Sequence, residues 1–278
     1  MSRPLRQGSG RAYAEVIGDP IGHSKSPLIH NFWLQRLGLD AEYRACHVRP
    51  EGLGAYFAER AADPDWRGCN VTIPHKIAAL DHVADPGEVR LSIGAINTVA
   101  IGPGGNPFGT NTDAAGFLSP ILDLDLVGKP VIVIGTGGAA NAILFALAQA
   151  DAGPVTVLAR NALKGAALLS RFALKGEVKP LAATLPPAAL LVNASSLGMH
   201  GQPPLDLDLS PLPGDAVVYD IVYAPLETGL LRSARDRGLE TVDGLEMLVG
   251  QAALAFELFF DVSPPEGEDE QLRALLLK

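Results

Sequence analysis

Short apolar runs alternate along this chain with stretches whose apolar positions recur every three to four residues. Val131-Ile132-Val133-Ile134 is apolar at every position, as befits a strand buried on both faces. The pattern predicts strands near 12–17, 42–48, 68–72, 95–101, 130–134, 155–159, 190–193, 216–220 and 239–242. It predicts helices near 26–37, 50–62, 74–83, 113–124, 138–150, 161–173, 226–237 and 244–260. Strand–helix alternation of this kind is the signature of βαβ units. The expected fold is α/β in two domains with a cleft between them. An N-terminal domain with a mostly parallel sheet takes residues 1–116, and a Rossmann-like domain takes 117–244, starting afresh after Gly128-Lys129-Pro130. The long apolar helix carrying Leu248, Ala252, Leu254, Phe256 and Phe259 suits a return of 245–278 onto the first domain. The acidic run from Pro264 to Glu270 reads as a solvated turn before a last short helix.

Composition narrows the function classes. With 278 residues, 47% hydrophobic and 19% charged, the chain is typical of a packed protein. A net charge of −9 argues against nucleic acid as a partner and requires local groups to capture any anionic substrate. No apolar run is long enough to span a membrane, and Met1–Gly8 has no signal-peptide core, so a cytoplasmic protein with a few disordered N-terminal residues is expected. The six histidines and two cysteines show no ligand spacing, so no metal is expected. Cys46 and Cys69 read as small buried hydrophobes. His23 and His30 read as structural. Monomer and homodimer both stay open.

The chemistry concentrates in a few clusters. Asn70-Val71-Thr72-Ile73-Pro74-His75-Lys76 puts an amide, a hydroxyl and an ammonium at a strand-to-helix junction, with Pro74 suited to a first helical turn. Lys76 then projects from the mouth of the strand layer, where α/β proteins bind ligands. Asn111-Thr112-Asp113 follows, and Asn97 adds a further amide. Ser26-Pro27 fits a helix N-cap pair, whereas Ser24 is left in the loop, so the two hydroxyls suit a carboxylate. After the apolar strand, Gly135-Thr136-Gly137-Gly138-Ala139-Ala140 has the G-x-G-x-x-A spacing of a dinucleotide loop. Gly135 allows the turn, Gly137 the approach of a pyrophosphate, and Ala140 close helix packing. The next strand ends in Arg160 rather than an acid, and Lys164 lies one turn on, which favours NADP over NAD.

Taken together, G-D-P-I-x-H-S-x-S-P, N-V-T-I-P-x-K, G-A-x-N-T, G-x-N-T-D, G-x-G-G-A, N-A-S-S-x-G-M and G-x-x-M-L-x-x-Q-A make the chain resemble shikimate dehydrogenase, in that family's order and over about residues 15–255. The resemblance implies reversible, NADP-dependent reduction of 3-dehydroshikimate to shikimate, a step of aromatic amino-acid biosynthesis. It implies that Ser24, Ser26 and Thr72 hold the carboxylate end and that Asn97, Asp113 and Gln251 bind ring hydroxyls. Lys76 and Asp113 would be the catalytic pair, with Lys76 donating the proton, and Tyr223 would close over the substrate. Gly135, Thr136, Gly137, Gly138, Ala139, Arg160, Lys164, Met199 and Gly244 would contact NADP(H), Met199 as a wall for the nicotinamide.

Two departures from the family pattern stand out. Ala159-Arg160-Asn161 replaces a common Asn-Arg-Thr, and Asn141 stands where an arginine often follows the loop. Both would weaken NADP contacts. Serine at both 24 and 26 favours shikimate over quinate. The competing readings are a quinate/shikimate or aminoshikimate dehydrogenase using NAD, and a non-catalytic ligand-sensing relative; the latter would be expected to lose Lys76, Asp113 or the loop.

Overall fold

The computed structural model describes residues 10–277; the disorder expected of Met1–Gly8 falls outside them. The chain forms two compact units, one running up to Thr112 and resuming at Val249, the other spanning Asp113–Leu248. The first contains β1 (Ala12–Gly18), α1 (Ser26–Arg36), β2 (Ala41–His47), α2 (Leu53–Ala62), β3 (Trp66–Val71), β4 (Thr98–Ile101) and β5 (Pro107–Thr110). The second contains α3 (Asp113–Leu118), β6 (Val131–Ile134), α4 (Gly138–Gln149), β7 (Val155–Leu158), α5 (Ala162–Arg171), β8 (Gly176–Lys179), β9 (Leu190–Asn193), β10 (Val217–Asp220), α6 (Gly229–Asp236) and β11 (Glu240–Val242). Helix α7 (Gly244–Phe260) carries the chain back into the first unit, which ends with α8 (Asp269–Leu276).

In the first unit the strands run β2-β1-β3-β4-β5. β1 is parallel to both its neighbours, but β4 is antiparallel to β3 and to β5. The sheet is therefore mixed rather than mostly parallel. For the β4–β5 pair the cause is the five-residue link Gly102–Asn106, closed by a Gly102 N–H to Asn106 carbonyl bond of 2.9 Å, which is too short for a crossover. One face buries Trp33 and His30 of α1 with Phe256 and Phe259 of α7. On β3 only glycine fits position 68: φ is +142°, and a Cβ would lie 2.2 Å from the Val99 carbonyl oxygen. On β1, buried Glu15 accepts from Arg60 Nε (2.8 Å), Arg44 Nε (3.0 Å) and the Tyr56 hydroxyl (2.8 Å), so its charge is paired.

The second unit is a six-stranded sheet, β11-β10-β9-β6-β7-β8, parallel throughout. This is the doubly wound strand order, and its reversal point lies between β6 and β9. Ile132, Ile134, Leu191 and Val218 pack on one face with Leu230 and Leu231 of α6, while Val131, Val133 and Val192 pack on the other with Ile143 and Leu147 of α4.

The helix expected over 74–83 does not form; a single 3-10 turn at Ala78–Asp81 stands there. The Lys76 carbonyl accepts from the Ile96 N–H at 2.8 Å instead of a helical neighbour, and Ile73 and Ile77 are exposed, so no apolar stripe holds a helix in place. The helix expected over 113–124 stops at Leu118 and tightens into a 3-10 turn around Pro120, which has no N–H for the α ladder. α6 begins only at Gly229, where the Thr228 hydroxyl caps the Leu231 N–H at 3.2 Å. β5 and β8 were not among the expected strands. Among the described residues no helix is long and apolar enough to cross a membrane, and no group of three or more His, Cys, Asp and Glu could hold a metal ion.

Candidate active site

In the first unit, four segments reach one edge of the sheet. Loop 19–25 follows the carboxyl end of β1, and Thr72–Lys76 follows that of β3; Ile17 pairs with Val71. β4 runs the other way, so Asn97 precedes it at this edge, and Thr112 follows β5, whose Thr110 pairs with Thr98. Backbone bonds lock the segments together: Thr72 N–H to Ile17 carbonyl at 2.9 Å, Asp19 N–H to Ile73 carbonyl at 3.0 Å, and Val71 N–H to Asn97 carbonyl at 2.7 Å. The edge thus gathers Ser24, Ser26, Thr72, Lys76 and Asn97, while Gln251 joins from α7 by its bond to Asn97. The expected N-cap role of Ser26 is not observed. Lys25 occupies the cap position without a side-chain cap bond, Ser26 is the first helical residue, and the Ser26 N–H donates to Ser24 Oγ at 3.3 Å. Lys25 Nζ binds the Leu276 carbonyl and pins the α1 start to the end of α8.

Asn97 is the hub of this edge and is 2% exposed. Its Oδ1 accepts the Thr112 N–H at 2.7 Å and the Thr98 hydroxyl at 3.1 Å. Its Nδ2 donates to Thr112 Oγ1 at 2.8 Å and to Gln251 Oε1 at 3.1 Å. A backbone N–H can only donate, so the Thr112 bond fixes which end of the Asn97 amide is oxygen. Behind the hub, Asn70 donates to Thr98 Oγ1 at 3.0 Å and to the Asn97 carbonyl at 3.3 Å, and accepts from the Tyr43 hydroxyl at 2.6 Å. Tyr43 and Thr98 were not flagged from the sequence. The registers of β2, β1, β3 and β4 bring them in line. His75 is buried and its Nε2 meets the Val48 carbonyl at 2.6 Å, so its ring is turned into the protein.

In the second unit, the glycine loop leaves β6 at the reversal point. Gly135 has φ +109°, and a Cβ there would sit 3.0 Å from the Ala194 carbonyl oxygen. Gly137 is the N-cap of α4, brings no capping side chain, and has nothing within 4 Å of an added Cβ. A tight turn, an open backbone and the positive end of a twelve-residue helix make a cradle fit for a pyrophosphate. Thr136, Gly138 and Ala139 complete the turn, and the Asn141 amide folds back onto the Gly137 carbonyl at 2.9 Å. At the end of β7, Arg160 and Lys164 are both exposed at the start of α5, whose N-cap Asn161 accepts from the Lys164 N–H at 3.1 Å. Two cations beside the end of this strand, where an NAD site would carry an acid, suit an anionic group such as the 2′-phosphate of NADP.

The loops after β9 and β10 are built on two buried polar residues. Asn193 donates to Asp220 Oδ1 at 2.9 Å and to the Leu197 carbonyl at 3.0 Å, and accepts from the Ser195 hydroxyl at 2.7 Å. Asp220 Oδ2 accepts from the Thr228 hydroxyl at 2.7 Å. Burial raises the Asp220 carboxyl above its usual range, against these hydrogen bonds. The framework shapes the segments that carry half-exposed Met199 and Tyr223; burial raises the Tyr223 phenol. Gly244 begins α7 against the 221–222 backbone, where a Cβ would lie 2.4 Å from the Ile221 carbonyl oxygen. That contact alone requires glycine there. Asp113 is buried in the first turn of α3.

Residues 16–99 match the shikimate dehydrogenase substrate binding domain, and residues 244–272 match the shikimate 5′-dehydrogenase C-terminal domain. The chain is 65% identical over 265 residues to the shikimate dehydrogenase (NADP(+)) of Sphingopyxis alaskensis, covering 95% of this chain and 97% of the relative. Among solved structures, it resembles 5-ketofructose reductase from a Gluconobacter strain, with a TM-score of 0.85, 31% identity and coverage of 97% and 99%. It also resembles shikimate 5-dehydrogenase of Thermus thermophilus in complex with NADP(H) and shikimate, with a TM-score of 0.83, 37% identity and coverage of 95% and 99%. With motifs, strand order and near full-length identity in agreement, the chain belongs to the shikimate dehydrogenase family.

Proposed function

We propose that this protein is an NADP-dependent shikimate dehydrogenase, reversibly reducing 3-dehydroshikimate to shikimate, and that it works in the cytoplasm as a monomer or homodimer. The first unit binds the substrate and the second binds NADP(H). The observation that carries the reading is the Asn97–Thr112–Gln251 cluster at the sheet edge that also carries the Lys76 turn. It is a fixed set of amides and hydroxyls suited to a polyhydroxylated ring. The Thermus relative, whose structure contains shikimate and NADP(H), supports it.

Bound at the Gly135–Ala139 turn, NADPH supplies the hydride. Lys76 hydrogen-bonds the carbonyl oxygen and gives it a proton as charge develops there, a role worth about 10²–10⁴-fold in rate. In the reverse direction neutral Lys76 accepts that proton. Asp113 orients Lys76 and accepts from a ring hydroxyl. Ser24, Ser26 and Thr72 hold the carboxylate, and Asn97 and Gln251 hold the remaining hydroxyls. Tyr223 covers the substrate, Met199 walls the nicotinamide, Arg160 and Lys164 hold the 2′-phosphate, and Gly244 lines the coenzyme site.

The test is steady-state kinetics with shikimate and quinate, each with NADP and NAD, and with 3-dehydroshikimate and 5-ketofructose, each with NADPH. The reading requires shikimate with NADP to have the highest kcat/KM of the dehydrogenase pairs. The Gluconobacter relative makes a ketose the rival substrate, and a higher kcat/KM for 5-ketofructose than for 3-dehydroshikimate would replace the reading.

A further inference from the structure

Behind the substrate edge runs a chain of hydrogen bonds whose members, from Tyr43 to Gln251, are all buried. Tyr43, on β2, is 2% exposed and donates its phenolic hydrogen to Asn70 Oδ1 at 2.6 Å. The Asn97 carbonyl can only accept, so the end of the Asn70 amide that faces it (3.3 Å) and Thr98 Oγ1 (3.0 Å) is the nitrogen, and the end that meets Tyr43 is the oxygen. Thr98, 0% exposed, accepts that donation and directs its own hydrogen to Asn97 Oδ1 at 3.1 Å. Asn97 Oδ1 then holds two donors, one from Thr98 and one from the Thr112 N–H. Its Nδ2 hydrogens go to Thr112 Oγ1 and Gln251 Oε1. With Oε1 turned to Asn97, Gln251 carries its Nε2 donor on the opposite side of its amide.

We propose that Tyr43, Asn70 and Thr98 form a positioning relay that sets the plane of the Asn97 amide and, through it, the donor–acceptor polarity that Gln251 shows to substrate. The inference rests on the reading above that Gln251 holds a ring hydroxyl, with Asn97, whose Oδ1 and Nδ2 are taken up by Thr98, Thr112 and Gln251, setting its orientation. A hydroxyl-bearing ring meets its site as a pattern of donors and acceptors, so a reversed or loosened amide weakens the match.

The relay has the design such a role needs. Asn70 and Thr98 each bond a buried partner on both sides, and Tyr43 closes the far end, so turning the Asn70 amide over would set its nitrogen against the Tyr43 donor and its oxygen against the Asn97 carbonyl. Burial keeps the Tyr43 phenol protonated, well above the usual tyrosine range, so it stays a donor at every working pH. Its ring also stacks on His30 at a centroid distance of 3.9 Å and an interplanar angle of 4°, which fixes the direction of the hydroxyl. Asn70 sits two residues before Thr72 and six before Lys76, so the relay anchors the strand end from which that turn departs.

The perturbations are Tyr43→Phe, which removes one oxygen and keeps the ring stack, and Thr98→Val, which removes the central hydroxyl at nearly constant volume. Each is measured alone and combined with Gln251→Ala, with shikimate KM, NADP KM, kcat and Tm determined for every protein. Loss of one link is expected to raise the shikimate KM about fivefold. NADP KM should stay at the wild-type value and kcat within about twofold. In the Gln251→Ala background the same changes should add less than about twofold, because their target is gone. A purely structural role would lower Tm and leave the shikimate KM alone, or would act equally with and without Gln251; either result overturns the relay. If Gln251→Ala alone leaves the shikimate KM unchanged, the assignment of Gln251 to the substrate fails instead. Should one variant not fold, the other decides.

Discussion

His30 offers a quantitative test of how the first unit is packed. It lies fully buried on α1 with neither ring nitrogen hydrogen-bonded. Its ring neighbours are Tyr43, Trp33, Phe256 and Phe259, so no carboxylate among these ring contacts stabilises an imidazolium. Burial lowers its pKa from 6.5 to about 3. The unfolded chain takes a proton below 6.5, while the folded protein refuses it until about 3. The unfolded state therefore binds more protons across that window. The stability held above 6.5 is lost as pH falls toward 3. One pKa unit is worth about 1.4 kcal/mol, so descending from neutral pH to about pH 5 removes about 2 kcal/mol through this one residue. Urea unfolding of wild type and His30→Leu at about pH 7.5 and about pH 5 isolates the effect, since all other titrations are shared. The variant should gain about 2 kcal/mol relative to wild type at the lower pH. An unchanged difference between the two proteins at both pH values would refute the buried neutral imidazole.

Three further outcomes follow from single positions. Gly135→Ala puts a Cβ 3.0 Å from the Ala194 carbonyl in a residue with φ +109°; with a strain of about 1–3 kcal/mol it should weaken NADP binding about 5–150-fold by calorimetry, and an unchanged affinity would remove the turn from the coenzyme site. Arg160→Ala should lower the NADP-over-NAD preference by about 10–100-fold, as a charged hydrogen bond is worth about 1.5–3 kcal/mol, with NAD kinetics unaltered; an equal loss with both coenzymes would contradict a 2′-phosphate role. Gly68→Ala, whose Cβ would meet the Val99 carbonyl at 2.2 Å and the Phe259 ring at 2.8 Å, should cost at least about 3 kcal/mol in urea unfolding, and a normal transition midpoint would show that β3 yields more easily than its geometry implies.

Much of this was legible in the amino-acid pattern. The α4 and α7 bounds, the glycine turn and the parallel second sheet follow from apolar runs and from Gly/Pro placement, which act over a few residues. β5 and β8 escaped because Pro107-Phe108-Gly109-Thr110 opens with proline and contains glycine, and Gly176-Glu177-Val178-Lys179 has one apolar residue; both are edge strands, where packing demands least. The 74–83 helix was over-read because Pro74 suits a helix start, while the competing bond from Ile96 to the Lys76 carbonyl comes from twenty residues away. The polar relay was invisible for the same reason. Tyr43 and Asn70 are 27 residues apart and Asn97 and Gln251 154 apart, and no local pattern marks such partners. Motif resemblance found the end of the network that faces the substrate edge; the fold was needed to find the end behind it.

The central claim is that Lys76 is the proton donor and acceptor of the reaction. The measurement is kcat for shikimate oxidation by Lys76→Ala, with NADP affinity and Tm recorded on the same preparation. The account predicts a fall of at least about 10²-fold in kcat with both controls unchanged. A kcat near the wild-type value would contradict it and return the proton-transfer role to another group.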